Sequence, residues 1–234
     1  MSVSKKVLFI SHHEDVELGL MKKFFIDNEF KINILKPLQG SSLPLEIDDY
    51  IGVIILGGAM DAGDSKEYPE IEKELYWIKN LLKKNISMIG ICLGAQLIAK
   101  ASGASVQNHK NNMVEIGYKD ISILRKNTIF HEFPEKVYHW HKQGINLPKN
   151  ADHLAYNSIF DVQAYSIGKK IFGFQFHPEV VENMILNWNK KSSHMLTKVG
   201  AENIEKQLND HKKYSNIVKK WFENFLKNWL DLNY

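Results

Sequence analysis

Residues 86–101 read ISMIGICLGAQLIAKA. The stretch opens on an apolar run, Ile86, Met88, Ile89 and Ile91, short for a helix and apolar enough for a strand buried on both faces. It passes through Cys92 and continues in helix-favouring residues as far as Ala101. Gly90 and Gly94 stand two residues to either side of Cys92, where a side chain would crowd a sharp turn. Strand, reactive residue, small residues and helix, in that order, are the layout of a nucleophile elbow, here with cysteine in place of serine. The amino end of the helix favours a thiolate through its partial positive charge. An arbitrary lone cysteine is more often a small buried hydrophobe. The flanking glycines and the strand-to-helix position favour the reactive role here.

The same alternation extends upstream. Residues 6–11 (KVLFIS), 30–35 (FKINIL) and 50–56 (YIGVIIL) read as strands, and residues 15–28 and 69–84 carry apolar side chains at helical spacing. Apolar strands separated by helices predict an α/β fold with a doubly wound, mainly parallel, flavodoxin-like sheet flanked by helices. Sites in such sheets gather at the carboxyl ends of strands, where both Cys92 and the pair Gly57-Gly58 fall. Residues 113–176 are strand-rich, with expected strands at 114–117, 121–124, 136–140, 153–156, 162–166 and 170–176. Beyond Pro178 the pattern is helical. Ile217, Val218, Trp221, Phe222, Phe225, Leu226, Trp229 and Leu230 form a stripe expected to dock on the chain's own core rather than on a partner or a membrane surface. The absence of repeats and low-complexity linkers predicts one domain over 1–234, with a core of about 3–190 and a C-terminal helical extension of about 191–234.

Composition narrows the partners. The chain has 234 residues, 44% hydrophobic and 24% charged, with 30 Lys and Arg against 27 Asp and Glu. The net charge of +3 comes from scattered lysines, so nucleic acid is not an expected partner. One cysteine forms no intrachain disulfide and suits a reducing compartment. No apolar run approaches the ~20 residues that span a bilayer. The expectation is a soluble, cytoplasmic protein with no membrane partner.

A thiolate nucleophile needs a base, and the base needs an orienting group. Residues 172–180 (FGFQFHPEV) offer both directly after a strand. His177 and Glu179, two apart on an extended segment, point to the same side, and Pro178 restrains the backbone between them. His177 is the expected base and Glu179 its orienter. Acyl transfer also needs N–H donors for the developing oxyanion. The N–H of Leu93 and the Gly57-Gly58 pair, Gly58 in particular, are the candidates.

Three segments in this order, LGGA (56–59), GICLGAQ (90–96) and GFQFHPEV (173–180), resemble class I glutamine amidotransferases over about residues 3–190. MVEIGY (113–118) and YHWH (138–141) resemble the stand-alone branch related to the glutaminase part of GMP synthase, a branch that includes γ-glutamyl peptidases. The resemblance implies that Cys92 attacks the side-chain amide of a γ-glutamyl compound. Gly58 and Leu93 hold the oxyanion, and a thioester is hydrolysed with His177 moving the protons. It implies no cofactor, and it assigns Gln96 to gripping the amino-acid end of the substrate. Two positions depart from the family pattern. Ala95 replaces a frequent His or Met, and Gln143 stands where an acidic residue is frequent after the second histidine. An acidic residue there suits a substrate ammonium, so Glu115 is the named replacement. His141 and Gln143 are expected substrate contacts. His139 and His141 lack an obvious acidic neighbour in sequence, which favours packing or substrate contact over a metal site.

Three readings stay open at this point. One is a self-sufficient hydrolase of glutamine or a γ-glutamyl amide. Another is an ammonia-supplying subunit with a separate synthase partner, and the third a catalytically silent binding protein on the same scaffold. No nucleotide-binding Ser-Gly-Gly-x-Asp-Ser loop is present, so a complete GMP synthase is excluded. The γ-glutamyl substrate's identity and any homo-oligomer are open as well.

Overall fold

The apolar strands of the first half meet at the centre of an eight-stranded sheet. The computed structural model describes residues 5–64, 66–124 and 132–232. The outermost residues of the expected domain, 1–4 and 233–234, lie outside that set. Strands β1 (Lys6–Ile10), β2 (Lys31–Leu35), β3 (Val53–Ile55) and β4 (Met88–Ile91) alternate with helices α1 (Leu20–Asp27), α2 (Pro69–Lys83) and α3 (Leu93–Ala101). Short strands β5 (Val106–Asn108), β6 (Glu115–Asp120), β7 (Ser122–Ile123), β8 (Lys136–His141) and β9 (Gln143–Ile145) follow. Then come β10 (Ala151–Tyr156), β11 (Ala164–Ile167), β12 (Ile171–Phe174), α4 (Glu182–Lys191) and α5 (Ile204–Asp231).

The order across the main sheet is β2-β1-β3-β4-β12-β11-β10-β7. The first five strands are mutually parallel, and the last three extend the sheet in antiparallel pairing. This is the α/β, doubly wound, mainly parallel architecture expected from the sequence, with a strand-rich second half grafted on one side. The β6–β8 and β5–β9 pairs form two small antiparallel ribbons. β5 and β9 escape a periodicity reading because each is three residues long and half-exposed.

The key register lies between β4 and β12, where Gly90 faces Gly173 and Ile91 faces Phe174. The N–H of Cys92 donates to the carbonyl of Phe174 at 2.7 Å. Cys92 and the segment leading to His177 therefore leave the sheet side by side.

One sheet face is covered by α1 and the terminal helix, the other by α2 and α3. The terminal stripe docks on the chain's own core: Phe225 meets Phe172 and Phe174 edge-on, and Trp221, Phe222, Phe225 and Trp229 are fully buried. Ile217 is the exception, 52% exposed. The expected helix over 15–28 begins only at Leu20, because Gly19 takes φ +51 and the Leu20 N–H donates to Glu179 O instead of joining a helix turn. The displaced stretch before it lies over the cleft described next. Among the described residues, no helix is long and apolar enough to cross a membrane.

Candidate active site

Cys92 caps the amino end of α3 at φ 50, ψ −106. For a non-glycine residue this conformation costs about 1–3 kcal/mol of backbone strain, and such strain gathers at functional turns. The turn closes only because its neighbours lack side chains. A Cβ on Gly94 would lie 2.0 Å from Ile55 O, and one on Gly90 would lie 2.6 Å from Ala95 N. The elbow read from the sequence is thus present, pressed directly onto β3. The Cys92 thiol lies 3.7 Å from Trp140 O, which accepts from it, and Gln175 Nε2 donates towards its sulfur at 3.8 Å.

His177 Nδ1 sits 2.8 Å from Glu179 Oε1, and both side chains are nearly inaccessible. Cys92 also acts on the ring and favours its charged form. The Trp188 ring packs edge-on against it, 4.7 Å between centroids. Burial works against an imidazolium, but the Glu179 carboxylate and then Cys92 outweigh it and raise His177 to about 10. Gly57 lies against the same pair: a Cβ there would come 3.0 Å from His177 Cε1 and 3.6 Å from Cys92 Cβ. Leu93 is the first residue of α3, so its N–H has no carbonyl one turn back within the helix.

Gly57, Cys92, His177, Glu179 and Trp188 line a cleft of about 240 Å³, just below the usual range of small-molecule sites. Gly58, Gln96, His141 and Gln143 line it too. Gln96 is buried, and its Nε2 donates to Gln143 O at 3.4 Å and Gln175 Oε1 at 3.2 Å. The side-chain oxygen of Gln143 accepts from Ala62 N at 3.4 Å.

Glu115 is placed elsewhere. It is fully buried between β6 and β8 and does not line the cleft. Its Oε1 accepts from Asn157 at 2.6 Å and its Oε2 from Gln163 at 2.7 Å, with His141 Nε2 a further 3.1 Å from Oε2. The geometry does not favour Glu115 as the reader of a substrate ammonium, because the carboxylate is fully buried and both oxygens are taken by Asn157 and Gln163. Glu115 also supplies the acidic neighbour that the sequence argument against a metal found missing. Glu115 Oε2, His139 Nδ1 and His141 Nε2 lie 3.1 to 3.4 Å apart and have the donor types to hold a cation. Protein hydrogen bonds already engage most of the set, with His141 Nδ1 held by Gln143 O at 2.9 Å. Burial lowers His139 to about 3. Burial opposes the Glu115 charge as well, yet His139 and His141 hold it at about 2. The two shifts cannot both draw on an ionised His139. With His139 neutral near pH 7, hydrogen bonds from His141 and Gln163 are what hold the carboxylate ionised there.

The cleft also contains side chains with little signal in the sequence. Asp61 pairs with Lys142 at 2.9 Å, and Lys191 with Asp15 at 3.1 Å. Trp140, Trp188 and His13 add to the wall. Gln175, buried behind the cleft on Cys92 and Gln96, is within reach of a period-two reading, since it precedes His177 by two. Trp188 and Lys191 arrive from α4, for which no local pattern indicated a cleft.

The glutamine amidotransferase class I family model matches residues 23–184. A glutamine-hydrolysing GMP synthase subunit of Methanococcus aeolicus is 34% identical over 133 residues, which are 55% of this chain and 64% of that protein. The chain thus spans somewhat less than two thirds of that relative. A glutamine amidotransferase-like protein, YfeJ, of Salmonella typhimurium is 30% identical over 74% of this chain and 75% of its own length. γ-Glutamyl peptidase 4 of Arabidopsis thaliana is 29% identical over 78% and 75%. The fold superposes on a glutamine amidotransferase from Thermotoga maritima with a TM-score of 0.88 and 31% identity, over 97% of this chain and 98% of the other. The match to the family model extends from α1 into α4, across every strand of the sheet that holds Cys92 except β1, and the chain belongs to the class I glutamine amidotransferase family.

Proposed function

We propose that the chain hydrolyses glutamine or another γ-glutamyl amide through a thioester on Cys92. One observation carries the reading: a cysteine on a strained elbow, a buried imidazole and the carboxylate bonded to it line one cleft. The Cys92 sulfur, its proton passed to His177, attacks the γ-carbonyl carbon, and the C=O electron pair moves onto oxygen. Gly58 and Leu93 N–H groups hold that oxyanion. His177, an imidazolium at neutral pH, gives its proton to the departing nitrogen as the C–N bond breaks. Water then attacks the thioester while His177 takes its proton, and glutamate leaves. Glu179 keeps the ring in register throughout.

Asp61 takes the place of Glu115 as the carboxylate for a substrate ammonium, since it lines the cleft and the next residue, Ala62, is bonded to Gln143. Ammonia delivery to a separate synthase chain is a second reading, favoured by the relative that is named as one subunit of a GMP synthase. We read all of the chain as one domain, and the complete Cys–His–Glu set speaks against a silent binding protein. Ammonium release from glutamine and release of amine from γ-glutamyl amides, measured on purified wild type and Cys92→Ala, test the proposal. Turnover that survives in Cys92→Ala rules it out.

A further inference from the structure

Two buried ionisable groups have no part in the steps above: His12, directly after β1, and Glu74, on α2. His12 Nε2 lies 3.2 and 3.0 Å from the two Glu74 carboxylate oxygens, and Nδ1 lies 3.3 Å from Gly57 O. The side chains are 0% and 1% exposed. Both ring nitrogens therefore face acceptors, which is satisfied when each carries a hydrogen. Burial opposes the charged ring, but the Glu74 charge, its hydrogen bond and the Gly57 carbonyl outweigh burial, and His12 is raised.

The position of Gly57 gives this pair a consequence. Gly57 and Gly58 line the cleft, as do Ser11 and His13, whereas His12 points behind the wall. The Gly57 carbonyl thus turns away from the cleft, towards the ring. The peptide joining Gly57 to Gly58 is trans and planar, so its C=O and N–H point in opposite directions. A carbonyl drawn back to His12 sends the Gly58 N–H forward, to where an oxyanion would form. Two adjacent glycines resist a peptide flip weakly, and a flipped peptide would present oxygen to oxygen. His12 also packs against the loop directly: a Cβ on Gly58 would lie 2.9 Å from His12 Cβ.

We infer that His12, held by Glu74, is a positioning residue for the oxyanion hole: its Nδ1–H pins the Gly57 carbonyl and thereby aims the Gly58 N–H into the cleft. The inference rests on the reading of Cys92 as the acylated nucleophile.

The test removes both partners together, His12→Phe with Glu74→Leu, so that no buried charge is orphaned. Loss of one oriented donor costs about 10²–10³-fold in turnover when complete. The double variant is expected to lose at least tenfold in kcat for glutamine, with KM within twofold. Affinity for glutamate γ-semialdehyde, whose carbonyl carbon bonds the Cys92 sulfur as its oxygen enters the hole, should fall by the same factor. Alkylation of Cys92 by iodoacetamide builds no oxyanion and should keep its wild-type rate. Glu74→Gln, whose amide can donate to Nε2 and leave Nδ1–H on Gly57, should recover most of the activity. Unchanged kcat, or alkylation slowed in step with turnover, overturns the inference. If the double variant does not fold, ¹⁵N spectra of wild-type His12 decide instead: a protonated Nδ1 supports the clamp and a bare Nδ1 overturns it. A wild type that neither hydrolyses glutamine nor adds the aldehyde refutes the hydrolase reading itself. An active wild type matched by the double variant refutes only the clamp.

Discussion

Besides the His12–Glu74 pair, two regions of this molecule bury histidine against glutamate, and they end in opposite electrostatic states. At the strand ends, Glu179 gives one oxygen to His177, and its Oε2 has no protein partner among the described residues. In the β6–β8 ribbon, Glu115 is shared among Asn157, Gln163 and His141, with His139 3.4 Å away. His177 is raised to about 10, while His139 is lowered to about 3. Burial opposes the proton on both rings; Glu179 and Cys92 outweigh it at His177, whereas at His139 the shared Glu115 does not offset burial and the nearby His141, His177 and Lys119. A carboxylate devoted to one ring leaves that ring charged in the cleft that Cys92 lines. One distributed over several donors stabilises a fold and leaves nothing for substrate. The chemical potential of a buried pair is set by what remains uncommitted.

The contrast breaks most sharply at Cys92. Cys92→Ala is expected to remove at least about 10⁴-fold of turnover, as loss of a covalent nucleophile does in a triad. The elbow strain adds a stability signature. Glycine adopts φ 50 freely, so Cys92→Gly should be at least as stable as Cys92→Ala in thermal melts, against the usual penalty of roughly 0.5–1 kcal/mol for glycine within regular structure. A glycine variant melting well below the alanine variant would mean that the turn is unstrained.

Glu115→Gln tests the other region and should act on stability rather than chemistry. The amide offers one acceptor oxygen where the carboxylate offers two, so one of the donors from Asn157 and Gln163 is left unpaired, at a cost of about 1–3 kcal/mol read as a lower denaturation midpoint. KM for glutamine should stay within twofold, because the carboxylate does not reach the cleft. The pH dependence has a definite sign. Glu115 is depressed from 4.5 to about 2, so its contribution is complete above 4.5 and is lost as pH falls towards 2. The variant should therefore unfold with less acid sensitivity than wild type across that window.

Glu179→Gln is the matching change at the strand ends, and its cost lies in kcat. The amide oxygen still accepts from Nδ1–H, but one charge-assisted bond becomes neutral, worth about tenfold to a hundredfold. His177 binds its proton more tightly folded than unfolded. The stability it adds is complete below 6.5 and is lost as pH rises through about 10. Without the Glu179 charge that loss should flatten in chemical denaturation measured between those values. An unaltered slope would show that Glu179 does not set the ring's charge.

What the chain discloses in one dimension follows from sequence separation. Cys92 with its two glycines, and His177 with Glu179, sit within a few residues of each other, so strand alternation and turn sterics expose them. The parallel half was legible for the same reason: each strand carries its own unbroken apolar run. His12 and Glu74, 62 positions apart, and Asn157 with Glu115, 42 apart, have no local signature. Glu115 has no local signature either, because its partners come from β8 and from the chain between β10 and β11. Cleft residues from α4 were hidden because an amphipathic pattern shows which face is buried but not what it is buried against.

The smallest expected effect concerns Gln143, at the border of the two regions. Its main-chain oxygen is held by His141 and Gln96, so the backbone is fixed from both sides and substitution changes only the side chain. That side chain makes one long bond, 3.4 Å to Ala62 N, and lines the cleft. Asp61 stands nearby, but Lys142 holds it at 2.9 Å, which reduces its attraction for a substrate ammonium. Gln143→Asp should supply an uncommitted carboxylate and lower KM for glutamine about tenfold, the low end for a charge-assisted bond, with kcat nearly unchanged. The gain must depend on the ammonium itself. Glutaramate, which keeps the amide and lacks the α-amino group, should show no improvement. Asp61→Asn in the wild-type background should weaken glutamine by a smaller factor, since its charge is already shared. Equal gains for glutamine and glutaramate would mean that position 143 acts through cleft shape rather than charge, and the ammonium would then have to be read by Asp61 alone.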